Sequence, residues 1–265
     1  MLRYMKYSVV NEDMNNEVKS IASIITIAAV SLFLSIIPAF PIVGFSGVIT
    51  LGALSGSLIG IFLKPRKGLI AVLIVAILTP VLNPGIVSLL GYFYFLPLLL
   101  SWLSSTLFFF KSPIYSIIII LASIVVLVIV HGKLITYYPQ YLVYDLLMPF
   151  VAILFYYIFY FKNKATVQLR SIGAIINGVI GDHLGGSIAF SINYLYLITN
   201  NGVSNIVKLF QDQVALNKWV TTWSTVACIY PVERTIIIII GIFVVMPTIA
   251  AWLKFFDYKT YIELR

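Results

Sequence analysis

The most polar pair of residues in the apolar part of this chain is Asp182 and His183, within the stretch GVIGDHLGGSI at residues 178–188. A carboxyl group and an imidazole can hydrogen-bond a solute, hold an ion or transfer protons. Consecutive helical residues point about 100° apart. The two side chains therefore meet different neighbours and cannot be treated as one catalytic dyad.

Asp182 belongs to a stripe of small and polar residues that follows one face of a predicted helix. Gly178 and Gly186 lie one turn on either side of it, and Ser171 and Asn193 lie eleven residues away, close to a whole number of turns. A mid-bilayer Asp costs about 2.5–3.5 kcal/mol on insertion scales, so such residues face other helices or a cavity. Three interpretations stay open: a hydrogen bond that locks two helices, a solute or ion site, and catalysis.

Other polar residues extend the set of candidates. Tyr144 and Asp145 lie at the outer start of a predicted span, where aromatic side chains form interfacial belts or line an outward pocket. Glu233 and Arg234 precede the last span, where Glu suits a helix N-terminus and the pair could also act as a gate. The candidate substrate-binding residues are Asp182, His183, Asn193, Asn177, Tyr144, Asp145, Glu233 and Arg234.

The elements that must position these residues are membrane helices. The chain has 265 residues, of which 61% are hydrophobic and 10% charged, and its mean hydropathy is +1.06. A soluble domain carries about 25% charged residues. We therefore predict an all-α, polytopic membrane helix bundle of six to eight transmembrane helices, forming a single membrane-embedded domain over residues 1–265. The apolar segments are 21–40, 42–63, 69–82, 86–110, 114–130, 142–161, 171–197 and 235–253.

The distribution of basic residues predicts the orientation. With eight spans and a cytoplasmic N-terminus, thirteen of the 17 Lys and Arg residues lie inside and four outside, as the positive-inside rule requires. We predict both termini in the cytoplasm, a cytoplasmic tail at 1–20 and an extracytoplasmic cap at 199–233. The 69–82 segment is short enough to be a half-helix. Topology explains the net charge of +8 better than nucleic-acid binding does.

The 42–63 segment contains Gly52, Gly56 and Gly60, which form two overlapping GxxxG patterns. Such small residues let helix backbones approach closely in lipid. With Gly178 and Gly186 they are candidates for ordinary helix packing or for a sliding interface with a partner subunit.

Several chemistries lack their sequence patterns. One Cys and two His do not make a zinc cluster, and the sequence contains no Walker A, Gly-x-Ser-x-Gly or His-Glu-x-x-His motif. We therefore predict no enzymatic activity, no metal, no cofactor and no ATPase activity of the chain's own.

Three stretches resemble the substrate-binding S components of energy-coupling factor transporters. They are FPIVGFSGVITLGALSGSLIGIFLKPRKGLIAVLI at 40–74, GVIGDHLGG at 178–186, and YPVERTIIIIIGIFVVMPTIAAWLK at 230–254. In that family a Gly-rich helix passes through a short basic loop into the next helix, a late helix carries a Gly-Asp step, and the final helix follows a Pro. The family has six helices, and its first helix often has regular Ala-xxx-Ala spacing, which residues 21–40 lack.

The resemblance, to the family or to an archaeal or bacterial relative, implies a plasma-membrane subunit that captures a vitamin-like solute from outside. It would work with a membrane coupling subunit and cytoplasmic ATPases. Two alternatives remain: a secondary transporter that uses Asp182 as an ion or proton site, and a structural or assembly membrane protein.

Overall fold

The computed structural model describes residues 2–41, 48–131, 146–154, 166–198 and 213–256. The described chain is almost entirely helical. Its helices are α1 (Leu2–Ile36), α2 (Ser55–Phe62), α3 (Pro65–Leu82), α4 (Pro84–Leu90), α5 (Leu96–Thr106), α6 (Pro113–His131), α7 (residues 146–154), α8 (Val167–Ile198) and α9 (Gln213–Phe256). Two short strands, β1 (Pro38–Pro41) and β2 (Val48–Thr50), join α1 to the rest.

The described residues include five helices that are long and apolar enough to cross a membrane. The number is up to six if the bent pair α4–α5 counts as one span. The prediction of an all-α membrane helix bundle is therefore confirmed at this level. The orientation of the termini and the further spans of an eight-helix layout stay predictions.

The predicted span at 42–63 is wrong as a continuous helix. Strand β1 pairs antiparallel with β2, so that Pro38 lies opposite Thr50 and Pro41 lies opposite Val48. Helix α2 follows a 3₁₀ turn and has only 8 residues, which makes it about 12 Å long against the roughly 30 Å of a bilayer core. Because every residue of α2 is buried, its apolar composition reflects burial inside the protein rather than contact with lipid.

Helix α3 is longer than predicted, and the next segment is broken. Pro65 occupies the first turn of α3, where its missing N–H costs nothing, and the 18-residue helix is not a half-helix. It continues through Pro80 and ends at Leu82, before Pro84. In the 86–110 segment, Gly91 has a φ of +60°, and Pro84–Phe93 lies at 77° to Leu96–Lys111.

Helix α8 is the centre of the bundle. In the apolar span of α8, 89% of the residues are buried, compared with 28–33% in the other four spans. It packs against α2, α5, α6 and α9. Gly181 and Gly185 bring its backbone close to α5, since a Cβ at these positions would lie 2.6 Å from the Leu100 carbonyl and 2.7 Å from the Pro97 Cα. The stripe around Asp182 therefore runs through protein and not along lipid.

Both ends of the chain are more helical than the sequence suggested. Helix α1 begins at Leu2, so the predicted tail at 1–20 continues directly into the first span. Helix α9 runs unbroken from Gln213 to Phe256 with Pro231 inside it, so it joins the last predicted span at 235–253 to the second part of the predicted cap. Residues 199–212 of the predicted cap lie outside the described chain, and the side of the membrane on which the cap lies stays a prediction.

Candidate functional site

The centre of the candidate site is an ion pair between helices α8 and α9. Arg234 Nη1 lies 3.0 Å from Asp182 Oδ2, and the two side chains are 7% and 11% exposed. The Arg234 guanidinium also lies over the ring of Tyr230, 5.6 Å from its centroid. Tyr230 and Arg234 are four residues apart and so share one face of α9. The sequence predicted both charges as candidates but did not predict that they pair.

A second pair of polar residues adjoins this ion pair. His183, on α8, packs edge-on against Tyr230 with ring centroids 5.0 Å apart. Glu233, on α9, is 3% exposed, and its Oε2 has no hydrogen-bond partner among the residues that the structure describes. Its carboxyl group lies within electrostatic range of Arg234 and His183. Two neighbouring residues on each helix therefore form one buried cluster of two carboxyl groups, a guanidinium and an imidazole.

We predicted that Glu233 and Arg234 lie at the start of the last helix, and this position is wrong. Helix α9 begins at Gln213, so Glu233 is not in a first turn and does not interact with a helix N-terminus. Both residues are instead enclosed in the middle of the helix, where uncompensated charge is costly. Asp182 compensates Arg234, whereas Glu233 Oε2 has no hydrogen bond.

A cavity of about 430 Å³ lies against the ion pair. Asp182 and Arg234 form part of its wall, with Gly186, Phe190 and Tyr230 beside them. The remaining wall comes from the end of α1, the β-hairpin, the 3₁₀ turn before α2, the second half of α3, α4 and the start of α5. Both interrupted segments of the chain, the hairpin with α2 and the bent pair α4–α5, therefore meet at this cavity.

The glycines of the stripe have two different environments. A Cβ at Gly178 would collide with the Ser57 hydroxyl and lie 3.1 Å from the Ser105 Cβ, so this position is filled by α2 and α5. A Cβ at Gly186 would meet nothing within 4 Å in the described part of the chain, and Gly186 lines the cavity. Close packing thus ends at about Asp182, and open space begins one turn later.

Two predicted site residues make hydrogen bonds within the protein instead. Asn177 is fully buried, donates to the Gly173 carbonyl at 2.9 Å and accepts from the Ser116 hydroxyl at 3.0 Å. Asn193 donates to the carbonyls of Ser88 and Leu89 at 3.3 and 3.0 Å. Neither residue lines the cavity. Asn177 joins α8 to α6, and Asn193 holds the C-terminal turn of α4.

The remaining predicted residues divide into two groups. Tyr144 and Asp145 lie outside the described residues. The GxxxG glycines lie inside the fold: Gly56 and Gly60 face α5 so closely that a Cβ would collide with Ser101 and Ser105. Gly52 lies on the cavity wall. These contacts place Gly56 and Gly60 against the chain's own α5.

Sequence reasoning missed Tyr230 and the hairpin. Tyr230 lies one helical turn before Arg234, so its position on the same face was readable once residues 230–234 were known to be helical. The hairpin contributes Pro38, Ile49 and Thr50 to the wall, and its Pro-rich first strand is unlike a helix.

The described residues hold no cluster of three His, Cys, Asp or Glu side chains suited to a metal ion. Comparison of the chain with known protein families, with curated proteins and with solved structures gives no match.

Proposed function

We propose that this protein is a membrane subunit that binds a small solute for uptake, and that the solute occupies the cavity beside Asp182 and Arg234. The observation that carries the proposal is the cavity itself, because a space of about 430 Å³ lies within the range of ligand pockets, about 300–1,000 Å³. Its wall is mostly apolar with a few polar groups, as is typical of small-molecule sites.

The ion pair supports the proposal on energetic grounds. A buried pair is seldom a strong source of stability, since removing two charges from water offsets most of their attraction. Ionisable residues inside membrane proteins commonly mark solute or ion pathways. Interrupted apolar segments are also typical of transporter binding sites, and two such segments border this cavity.

The resemblance to S components of energy-coupling factor transporters supports the proposed partners. Helix α2 leads through Leu63 and Lys64 into α3, which fits the family pattern of a Gly-rich helix, a basic loop and a further helix. On this proposal a coupling subunit and cytoplasmic ATPases supply the energy, and the plasma membrane is the location. A vitamin-like micronutrient is the expected solute.

Recovery of bound solute tests the proposal. The protein is purified in lipid nanodiscs, and small molecules are extracted and identified by mass spectrometry. The matched control is Gly186→Leu, which places a bulky apolar side chain in the cavity and leaves the residues of the ion pair unchanged. We expect one compound to be enriched in the wild type and absent from the control. Empty wild-type protein from several growth conditions, with no ATPase recovered alongside it, would contradict the proposal.

A second candidate function is secondary transport coupled to protons. Glu233 favours it, since a buried carboxyl oxygen without a hydrogen-bond partner is a suitable carrier for a proton. Asp182 fits that role less well because Arg234 already compensates its charge. Uptake that needs a proton gradient and is abolished by Glu233→Gln would support this candidate. Uptake that needs ATP and a second subunit would exclude it.

A further inference from the structure

The polar groups of the cavity wall have unequal capacity to bind a solute. Side-chain donors of Ser35, Ser55, Thr79, Asn83 and Tyr94 already hydrogen-bond to backbone carbonyls, and all five residues line the cavity. Because these donors are in use, a solute covered with hydroxyl groups would find few new partners there. Most of the remaining wall is aliphatic or aromatic.

The Asp182–Arg234 pair is the strongest polar feature of the wall. An ionised carboxylate only accepts hydrogen bonds, and a guanidinium only donates them. A chemical group that contacts both must therefore present a donor beside an acceptor. Amides, lactams and cyclic ureas have such an edge, in which an N–H lies next to a C=O.

Charge balance restricts the solute further. The pair is neutral as a unit, so a solute with a net charge would add an uncompensated charge inside the bilayer, which is costly. Glu233 does not contact the solute directly, since it is not among the residues that line the cavity.

We infer that the cavity takes a neutral, largely apolar solute that has one amide-like edge, with its N–H directed to Asp182 and its C=O directed to Arg234. This inference rests on the proposed function and names the class of solute. It predicts that sugars, polyols and permanently charged compounds are poor ligands, although several are small enough to enter.

Four probes of similar size test the class. 2-Quinolinone carries the N–H beside C=O edge, and 1-methyl-2-quinolinone lacks only the N–H. Naphthalene-2-carboxylate and 2-naphthylmethylammonium carry a negative and a positive charge. Binding is measured by equilibrium dialysis against protein in nanodiscs, and empty nanodiscs correct for partition into lipid.

We expect 2-quinolinone to bind at least about tenfold more tightly than its methylated form, the difference that one buried hydrogen bond to a charged group gives. Both charged probes should bind more weakly than 2-quinolinone. Gly186→Leu should abolish binding of every probe. The double variant Asp182→Asn/Arg234→Gln should keep the cavity and reduce the preference for the unmethylated probe.

The outcomes separate this inference from the proposed function. If a charged probe binds best, or if methylation has no effect while Gly186→Leu still prevents binding, the cavity binds solutes but the inferred class is wrong. The class is also wrong if no probe binds a wild-type protein that co-purifies with a solute. If no probe binds and the purified protein never contains a bound solute, both the inferred solute class and the proposed function are wrong.

Discussion

The ion pair between Asp182 and Arg234 can be tested by removing its charges one at a time and then together. Asp182→Asn leaves the guanidinium without its partner at 3.0 Å, and Arg234→Gln leaves the Asp182 carboxylate without its partner. Both side chains are about nine-tenths buried and lie 3.0 Å apart. Breaking a buried pair costs about 3–5 kcal/mol, and we expect values near 3 kcal/mol because water in the cavity can partly solvate the remaining charge.

The double variant decides whether the two charges act on each other. Asp182→Asn/Arg234→Gln removes both charges of the pair, so we expect it to be more stable than the two single costs added together would give, by about 1–3 kcal/mol, the range of coupling between contacting residues. The free energy of unfolding is measured by reversible denaturation with SDS in mixed micelles. Glu17→Gln is the matched control, since Glu17 is exposed and its neutralisation should change stability by less than about 0.5 kcal/mol.

If the stability costs of the two single variants simply add in the double variant, Asp182 and Arg234 do not interact with each other. Additive costs would mean that each charge interacts with something other than its partner. The contact between α8 and α9 at the cavity would then be wrong, and the proposed solute site would lack its charged pair.

Two further predictions concern the glycines of α8 and a hydrogen bond between α9 and α2. Gly181→Ala should destabilise the protein by about 1–3 kcal/mol, because its Cβ would lie 2.6 Å from the backbone carbonyl of Leu100. Gly186→Ala should be neutral or slightly stabilising, since nothing in the described chain lies within 4 Å of the new methyl group. Equal losses of thermal stability in the two glycine variants, measured by thermal-shift assay, would contradict this difference. Trp252→Phe should cost about 0.5–1.5 kcal/mol by removing the 2.8 Å bond from its indole N–H to the Phe62 carbonyl, and SDS denaturation that shows no change would count against that contact.

Sequence alone led to Asp182 because a carboxyl group in an apolar run must be compensated or kept near water. Arg234 was a candidate for another reason, its place before the last apolar run. That the two charges pair depends on how α8 and α9 cross, and the crossing is set by contacts between residues far apart in the chain. The stripe from Ser171 to Asn193 was readable from helical periodicity, whereas the change from packed Gly178 to open Gly186 was not.

Hydropathy could not separate a membrane span from an apolar segment buried in protein. Residues 42–63 are as apolar as a span, but Val48–Thr50 form a strand and α2 is only 8 residues long. The last apolar segment, 235–253, had the opposite outcome. Its helix begins earlier and continues through Pro231, as helices in membrane proteins can when neighbouring groups satisfy the freed carbonyls.

An experimental map of the protein in nanodiscs, prepared with the solute recovered from it, tests whether the cavity beside Asp182 and Arg234 is the solute site. We predict solute density in the cavity, in contact with Asp182, Arg234 and Phe190, and no such density in Gly186→Leu. An empty cavity at saturating solute, or a cavity occupied by a lipid acyl chain in both proteins, would contradict the account.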